Sequence, residues 1–135
     1  MYLLDTNVFL ELLLDQDRAD DVERLLRSVP RERLNISEFS LYSVGIVLFH
    51  RKLFDVFVRF VEDLIITGGV CLLRLSAGDA KKLVQVAQRF SLDFDDAYQY
   101  AVAERYGLTV ISFDADFDRT ERGRKMPKDL LKGKR

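Results

Sequence analysis

The sequence predicts an α/β fold, a single three-layer α/β/α domain built on a parallel sheet. Short apolar segments alternate with longer segments in which apolar residues recur every three or four positions, which is typical of strands separated by helices. Acidic residues directly follow the first and the last of the predicted strands, at Asp5 and Asp114. Because parallel strands bring the segments after them to one edge of the sheet, we expect these acids to meet there.

The length and composition indicate one soluble domain. A chain of 135 residues can bury a core without disulfides or a structural metal. The sequence contains neither an 18-residue apolar run nor a cationic leader followed by an apolar segment. We therefore expect a cytoplasmic protein that is not associated with a membrane.

The cysteine and histidine content excludes several kinds of chemistry. Cys71 is the only cysteine, so no intramolecular disulfide can form, and its place in an apolar segment predicts a packed strand thiol. His50 is the only histidine and is followed by two basic residues at the expected end of a helix. Zinc chemistry and a Ser-His-Asp triad are accordingly not expected.

Charge divides the chain into two parts. The formal net charge is −1, but residues 117–135 carry eight Lys or Arg against three Asp or Glu. We divide the chain into a domain over residues 1–118 and a basic tail over residues 119–135, which is either part of that domain or partly disordered.

The first 30 residues are predicted to form one strand and two helices. The strand covers Met1–Leu4, and Thr6 can cap a helix that ends at Asp15–Asp17. The second helix stops at Pro30. The apolar positions that define the two helices are Val8, Phe9, Leu12 and Leu13, then Val22, Leu25, Leu26 and Val29.

The middle of the chain is predicted to hold two strands and two helices. Leu34–Ile36 forms the second strand, and Ser37 can cap a third helix. A strongly apolar helix lies next over Leu53–Ile66, which Gly68 and Gly69 end before a strand at Val70–Leu73. Several phenylalanines of these two helices either pack in the core or form a surface for a partner: Phe49, Phe54, Phe57 and Phe60.

The last predicted elements are two helices and a strand. Ser76 and Asp79 form a capping box for a helix that ends near Phe90. The next helix ends at Gly107, before a strand at Leu108–Ser112. One face of that helix carries Phe94, Ala97, Tyr98 and Ala101.

Three aspartates lie at the start of this last helix. Asp93 is interpreted as its N-cap, because an acid at this position binds free backbone amides and suits the helix dipole. One cap is sufficient, and adjacent like charges repel one another. Asp95 or Asp96 is therefore a candidate for a functional site.

Three segments of the chain resemble the motifs of PIN-domain nucleases, particularly the VapC toxins of type II toxin–antitoxin pairs. The segments are Leu3–Asn7, Asp95–Ala97 and Val110–Phe117. The resemblance implies a ribonuclease that depends on Mg²⁺ or Mn²⁺ and has a parallel sheet of four or five strands. It also implies a protein that is often a homodimer and is held inactive by a cognate antitoxin.

The resemblance assigns roles to individual acids. Asp5 matches the first acid of the family, Asp96 the third and Asp114 the fourth, with Asp116 as an auxiliary. Many VapC proteins carry a Glu at the position occupied here by Ser43, so Glu38 is taken as its replacement. Two further polar residues match the family site, Asn7 and Ser112. The expected catalytic residues are Asp5, Glu38, Asp96 and Asp114, and the expected metal ligands are Asp5, Asp96, Asp114 and Asp116.

The residue types also support this chemistry. Converging carboxylates repel one another, and Mg²⁺ or Mn²⁺ relieves that repulsion and accepts oxygen ligands. An RNA substrate would need cations near such an acidic site. The expected phosphate-binding residues are Arg119, Arg122, Arg124 and Lys125, although a solvated tail would have the same composition.

The sequence leaves a second function open. Because no Glu stands at position 43, the chain could be a degenerate PIN domain that only binds RNA or another protein. Two other aspartate enzymes fit less well. A receiver-like domain needs an acid after the third strand, and a haloacid-dehalogenase-type phosphatase needs an Asp in place of Asn7.

Overall fold

A computed structural model describes residues 1–131, which form a four-stranded parallel sheet with helices on both faces. The strands are β1 (Tyr2–Leu4), β2 (Leu34–Ser37), β3 (Cys71–Leu73) and β4 (Thr109–Ile111), in the order β3-β2-β1-β4. Every neighbouring pair is parallel. The six α-helices are α1 (Thr6–Leu13), α2 (Ala19–Ser28), α3 (Glu38–His50), α4 (Phe54–Phe60), α5 (Ala80–Phe90) and α6 (Phe94–Tyr106). The predicted α/β/α architecture is confirmed.

Alternating residues of the central strands separate the core into two halves. Leu4 and Ile111 point into the half that lies under helices α1 to α4. Leu3 and Val110, one position earlier, pack with α5 and α6 on the other side. Successive strand side chains point to opposite faces of the sheet. Because helices cover both faces, the residues on both are apolar.

The helix ends largely agree with the predicted caps. Ser37 caps α3 through its hydroxyl oxygen, and Ser76 with Asp79 forms the predicted capping box. Gly107 ends α6 with φ at 68°, a conformation that costs glycine little. The predicted Thr6 cap is wrong, because Asp5 occupies the cap position and Thr6 is already the first residue of α1.

The prediction of a packed thiol at Cys71 is wrong. Cys71 and Leu72 are exposed, because β3 is the edge strand of the sheet and is only three residues long. The apolar character of the segment does not reveal that it lies at an edge.

The segment after β4 forms an isolated β-bridge and then a short helix. Lys125 makes a single parallel bridge to Ile111, with hydrogen bonds of 2.8 and 2.9 Å to the backbone of Val110 and Ser112. A short 3-10 helix lies next in the chain, at Pro127–Leu130, and contacts α2. The final part of the predicted tail, residues 132–135, lies outside the described residues.

The phenylalanines of α3 and α4 are divided between core and surface. Phe60 is buried and packs edge-to-face on Phe9 at 5.3 Å between ring centroids. Phe49 and Phe54 contact each other in the same way at 4.9 Å but remain about half exposed. The predicted helix over Leu53–Ile66 is continuous, with a π-helical segment at Val61–Ile66.

Within residues 1–131, no helix is both long enough and apolar enough to span a membrane.

Candidate metal centre

Three parts of the fold bring acids to the carboxyl edge of the sheet. Asp5 directly follows β1, Asp96 lies in the first turn of α6, and Asp114 and Asp116 lie after β4. Carboxylate oxygens of Asp96, Asp114 and Asp116 all lie within 4.8 Å of one another. The order of the strands explains this arrangement, because β1 and β4 are adjacent and parallel, so their ends share one edge.

Asp5 is held rigidly beside this cluster. Its Oδ2 accepts a hydrogen bond of 2.7 Å from the Ser112 hydroxyl, and its Oδ1 accepts bonds of 2.9 Å from Gln99 Nε2 and from the backbone N–H of Thr6. Burial raises the pKa of the Asp5 carboxyl group, and the negative charge of Asp114 adds a smaller contribution. These hydrogen bonds fix the direction in which the carboxylate points.

Asp96 is the buried member of the cluster. Burial raises its pKa to about 8, and the charges of Asp114, Asp93, Asp5 and Asp116 act in the same direction. Asp93 is the N-cap of α6, as predicted, and accepts the Asp96 N–H at 3.0 Å. Asp95 is exposed. Of the two candidates in the sequence, Asp96 is therefore the one that faces the other acids.

Asp114 and Asp116 are positioned by a tight turn after β4. The Asp114 N–H donates to the Ser112 hydroxyl oxygen at 2.9 Å, and Asp114 Oδ1 accepts the Asp116 N–H at 2.8 Å. This turn opens a 3-10 helix at Ala115–Arg119. Arg119 forms an ion pair of 3.1 Å with Asp116, so part of the cluster's charge is already balanced by the protein.

Asn7 and Ser112 connect the two strand ends. Asn7 Nδ2 donates to the Ser112 hydroxyl oxygen at 3.2 Å, and Asn7 Oδ1 accepts the Phe113 N–H at 3.3 Å. The same Ser112 hydroxyl donates to Asp5. One serine thus links Asn7, Asp5 and Asp114.

A buried polar network centred on Gln99 was not predicted from the sequence. Gln99 Nε2 donates to Asp5 and also to the Ser40 hydroxyl oxygen at 2.6 Å, while Gln99 Oε1 accepts from the Ser37 hydroxyl at 2.7 Å. Gln99 and Ser40 are 1% and 0% exposed. A signal was available, because Gln99 lies three positions after Asp96 and therefore on the same face of α6.

Of the predicted catalytic residues, two lie outside the three acids that meet within 4.8 Å. One is Asp5, which is hydrogen-bonded beside them, and the other is Glu38. It lies in the first turn of α3, at the same edge of the sheet, and is half-buried. Among residues 1–131, the acids that meet within 4.8 Å are Asp96, Asp114 and Asp116. Ser43, where many VapC proteins have a Glu, is half-buried further along the same helix.

Most of the predicted phosphate-binding arginines hold the protein's own oxygens. Arg119 binds the carbonyl groups of Phe90 and Ser91, and Arg122 binds that of Leu108. Arg124 pairs with Asp118 and donates to the Ser112 carbonyl group. Lys125 contributes its backbone to the sheet, and its side chain is exposed.

The donor set fits a hard divalent cation. Three carboxylates at this separation supply oxygen ligands, which Mg²⁺ and Mn²⁺ prefer. Burial is the main cause of the raised pKa of Asp96, and the neighbouring carboxylates raise it further, a repulsion that a cation would relieve.

Comparison with known families and structures gives consistent results. The family model described as PIN domain matches residues 2–123. No curated protein sequence matches the chain.

Several solved structures share the fold at low sequence identity. Mycobacterium tuberculosis VapC20, described as a sarcin-ricin loop cleaving toxin, is 22% identical, with a TM-score of 0.74 over 87% of this chain and 93% of that chain. A toxin–antitoxin complex from Klebsiella pneumoniae gives 23% identity and a TM-score of 0.73 over 94% and 98%. FitAB bound to the IR36 DNA fragment gives 20% identity and a TM-score of 0.80 over 94% and 95%. At these identities the likeness shows the fold.

Proposed function

Because this chain belongs to the PIN domain family, we propose that it is a metal-dependent endoribonuclease and the toxin of a type II toxin–antitoxin pair. The observation that carries the proposal is the convergence of Asp96, Asp114 and Asp116 within 4.8 Å, with Asp5 hydrogen-bonded beside them. Gathering like charges costs free energy, which a bound cation would offset.

Asp96, Asp114 and Asp116 would hold Mg²⁺ or Mn²⁺, with Asp5 beside them as a further ligand. When bound, the ion lowers the pKa of a water molecule and neutralises charge that develops on a phosphodiester. The protein's own contribution is to fix the ligands before the substrate arrives. Ser112 and Gln99 do so for Asp5, and the turn at Asp114 does so for Asp116.

We propose that a carboxylate of the cluster, Asp96 or Asp114, accepts the proton of the attacking water. The water oxygen forms a new P–O bond while the P–O bond to the leaving ribose oxygen breaks. The ribose oxygen leaves with the electron pair of that bond and is protonated by solvent.

RNA cleavage tests this proposal directly. The purified chain should cleave RNA in Mg²⁺ or Mn²⁺ but not in EDTA, and Asp5→Asn and Asp96→Asn should each abolish cleavage. Asp95→Asn is the matched control, because Asp95 is exposed outside the cluster. Undiminished cleavage in EDTA would contradict the proposal.

The toxin role is supported by the solved structures with the same fold. VapC20 is described as a toxin, and the Klebsiella structure is a toxin–antitoxin complex. We propose that this chain likewise has a cognate antitoxin and forms a homodimer. Induced expression in a heterologous bacterium should arrest growth, whereas Asp96→Asn at equal abundance should not. Normal growth with the wild-type chain would count against toxicity.

A degenerate PIN domain that only binds RNA or protein is the alternative function. The position of Glu38 outside the acid cluster and the serine at position 43 favour it. RNA binding without cleavage in either metal would support this alternative.

A further inference from the structure

A polar cleft of about 520 Å³ opens directly beside the acid cluster. Asn7 and Asp114 of the candidate metal centre line this cleft together with Arg18 and Arg51. The cleft lies between the loop after α1, the C-terminal end of α3 and the loop after β4. A polymer that reaches Asp114 along this path would meet both arginines.

Arg18 is held in place by two contacts that leave part of its guanidinium group available. Its Cζ lies 3.8 Å from the centroid of the Phe113 ring, so one face of the guanidinium is stacked. Its Nε lies 3.7 Å from Glu11 Oε2, which also accepts the Arg18 backbone N–H at 2.7 Å. Within residues 1–131, the Phe113 contact occupies one face of the Arg18 guanidinium group and the Glu11 contact occupies its Nε. The terminal amino groups remain as donors for an anion in the cleft.

Glu11 explains why this arginine is preorganised. Glu11 is 7% exposed, and its carboxylate holds both the backbone and the side chain of Arg18. A long cationic side chain normally loses conformational entropy when it binds a ligand. The Glu11 and Phe113 contacts reduce that loss for Arg18.

Arg51 extends the cationic surface away from the acids. It lies directly after the last residue of α3 and is exposed, with His50 and Lys52 on either side. A second cavity of about 640 Å³ shares Val47 and Arg51 with the first and is also lined by Phe49 and His50. The two cavities together form a path from Asp114 to a basic helix end.

We propose that this cleft binds the RNA backbone on one side of the scissile phosphodiester, with Arg18 and Arg51 contacting its phosphates. The inference rests on the proposed ribonuclease function and places RNA binding outside the basic tail. An acidic centre repels a polyanion, so cations beside it must supply the binding free energy. Arg18 and Arg51 can do so, whereas Arg119, Arg122 and Arg124 already bind the protein's own oxygens.

The test measures binding of a fluorescent random-sequence 12-nucleotide RNA by anisotropy, in EDTA and at several salt concentrations. Arg18→Gln and Arg51→Gln should each weaken binding and reduce the slope of log K against log salt by about 0.7, the value for one phosphate contact on a single strand. Arg27→Gln removes the same charge from an exposed position on α2 and should change neither quantity. Lys125→Gln tests the basic tail in the same assay.

Arg18→Gln loses the contact with Glu11 and could fail to fold. In that case Arg51→Gln alone tests the inference. Unchanged RNA binding and an unchanged salt slope for folded Arg51→Gln and Arg18→Gln would overturn the inference. Variants that lose binding to the cognate antitoxin but keep RNA binding would also overturn it. If those variants bind RNA normally while the wild-type chain cleaves it, the ribonuclease proposal still stands. If the wild-type chain neither binds nor cleaves RNA, the proposed function itself fails.

Discussion

Asp114 is the carboxylate whose charge raises the pKa values of both Asp5 and Asp96. It also accepts the Asp116 N–H, a bond that an asparagine oxygen can keep. Asp114→Asn should therefore remove repulsion without breaking the turn. Without metal, we expect this variant to be more stable than the wild type by about 1 kcal/mol, or roughly 3 to 5 °C in melting temperature.

Metal should stabilise the same variant less than it stabilises the wild type. Binding only to the folded state at a hundred times its dissociation constant stabilises a protein by about 2.7 kcal/mol. Asp114→Asn should gain less than the wild type from saturating Mn²⁺, and Asp95→Asn should gain the same. Melting curves in EDTA and in Mn²⁺ measure both effects. If Mn²⁺ raises the melting temperatures of Asp114→Asn and the wild type equally, Asp114 is not a metal ligand.

Gln99 acts on the site through Asp5 and is a positioning residue. Gln99→Met has a similar shape but removes the buried hydrogen bonds that Gln99 makes with Asp5, Ser37 and Ser40. We expect a loss of about 1 to 3 kcal/mol in the free energy of unfolding, measured with urea. Gln88→Met, on the exposed side of α5, is the matched control and should have little effect.

A positioning role also predicts an effect beyond stability. If Gln99 orients Asp5, then Gln99→Met should bind Mn²⁺ more weakly than the wild type under conditions in which both are fully folded. Gln99→Glu restores a hydrogen-bonding group but adds a charge next to Asp5, and should not rescue metal binding. If folded Gln99→Met binds Mn²⁺ as tightly as the wild type does, Gln99 has only a packing role.

At the scale of elements, the start of α6 and the end of β4 make stability depend on pH. The pKa of Asp96 is about 8 in the fold, against an ordinary value of 3.8. Between these values the native state binds more protons than the unfolded chain. The contribution of Asp96 to the free energy of unfolding is therefore fully present below about pH 4 and is lost as the pH rises to about 8.

Urea unfolding in EDTA at pH 5.5 and 8.5 measures this loss. The wild type should be less stable at the higher pH, and Asp96→Asn should show a smaller decrease. Because metal displaces the Asp96 proton, Mn²⁺ should bind more tightly at pH 8.5 and reverse the loss. A wild type and an Asp96→Asn variant with the same pH dependence would contradict the raised pKa.

Glu38 lies in the first turn of α3, and its mutation tests whether it belongs to the site. Glu38 lies at the correct edge of the sheet but outside the cluster. The family resemblance predicts that Glu38→Gln slows cleavage at least about tenfold, or about 1.4 kcal/mol of transition-state stabilisation. Glu32→Gln, at an exposed position before β2, is the control. Wild-type rates for Glu38→Gln would show that the site functions without a second family acid.

At the scale of the whole molecule, the exposed rings of α3 and α4 provide a test of assembly. Phe54 is 48% exposed and Phe60 is 3% exposed. Phe54→Asp should fold normally, and if this surface forms the proposed homodimer it should be a monomer by light scattering. Phe60→Asp should fail to fold, because it buries a charge against Phe9. A folded dimeric Phe54→Asp would exclude Phe54 from the dimer interface.

Local sequence patterns were enough to predict the alternation of strands and helices and most helix ends. These features depend on periodicity over a few residues and on capping residues such as Ser37, Asp93 and Gly107. The same patterns placed Asp5 and Asp114 after predicted strands, and parallel strands direct the residues after them to one edge. At the start of α6 the patterns left both Asp95 and Asp96 open, and the family resemblance selected Asp96.

The contacts between side chains depend instead on the packing of distant segments. The hydrogen bond between Gln99 and Asp5 requires α6 to pack against the sheet, which no local pattern encodes. The exposure of Cys71 depends on β3 lying at the edge of the sheet. Glu38 lies outside the acid cluster and follows β2, which is one strand further from β4 than β1 is. Arg18 and Arg51 come together at the cleft for the same reason, because contacts between distant segments are set by the three-dimensional arrangement of the elements.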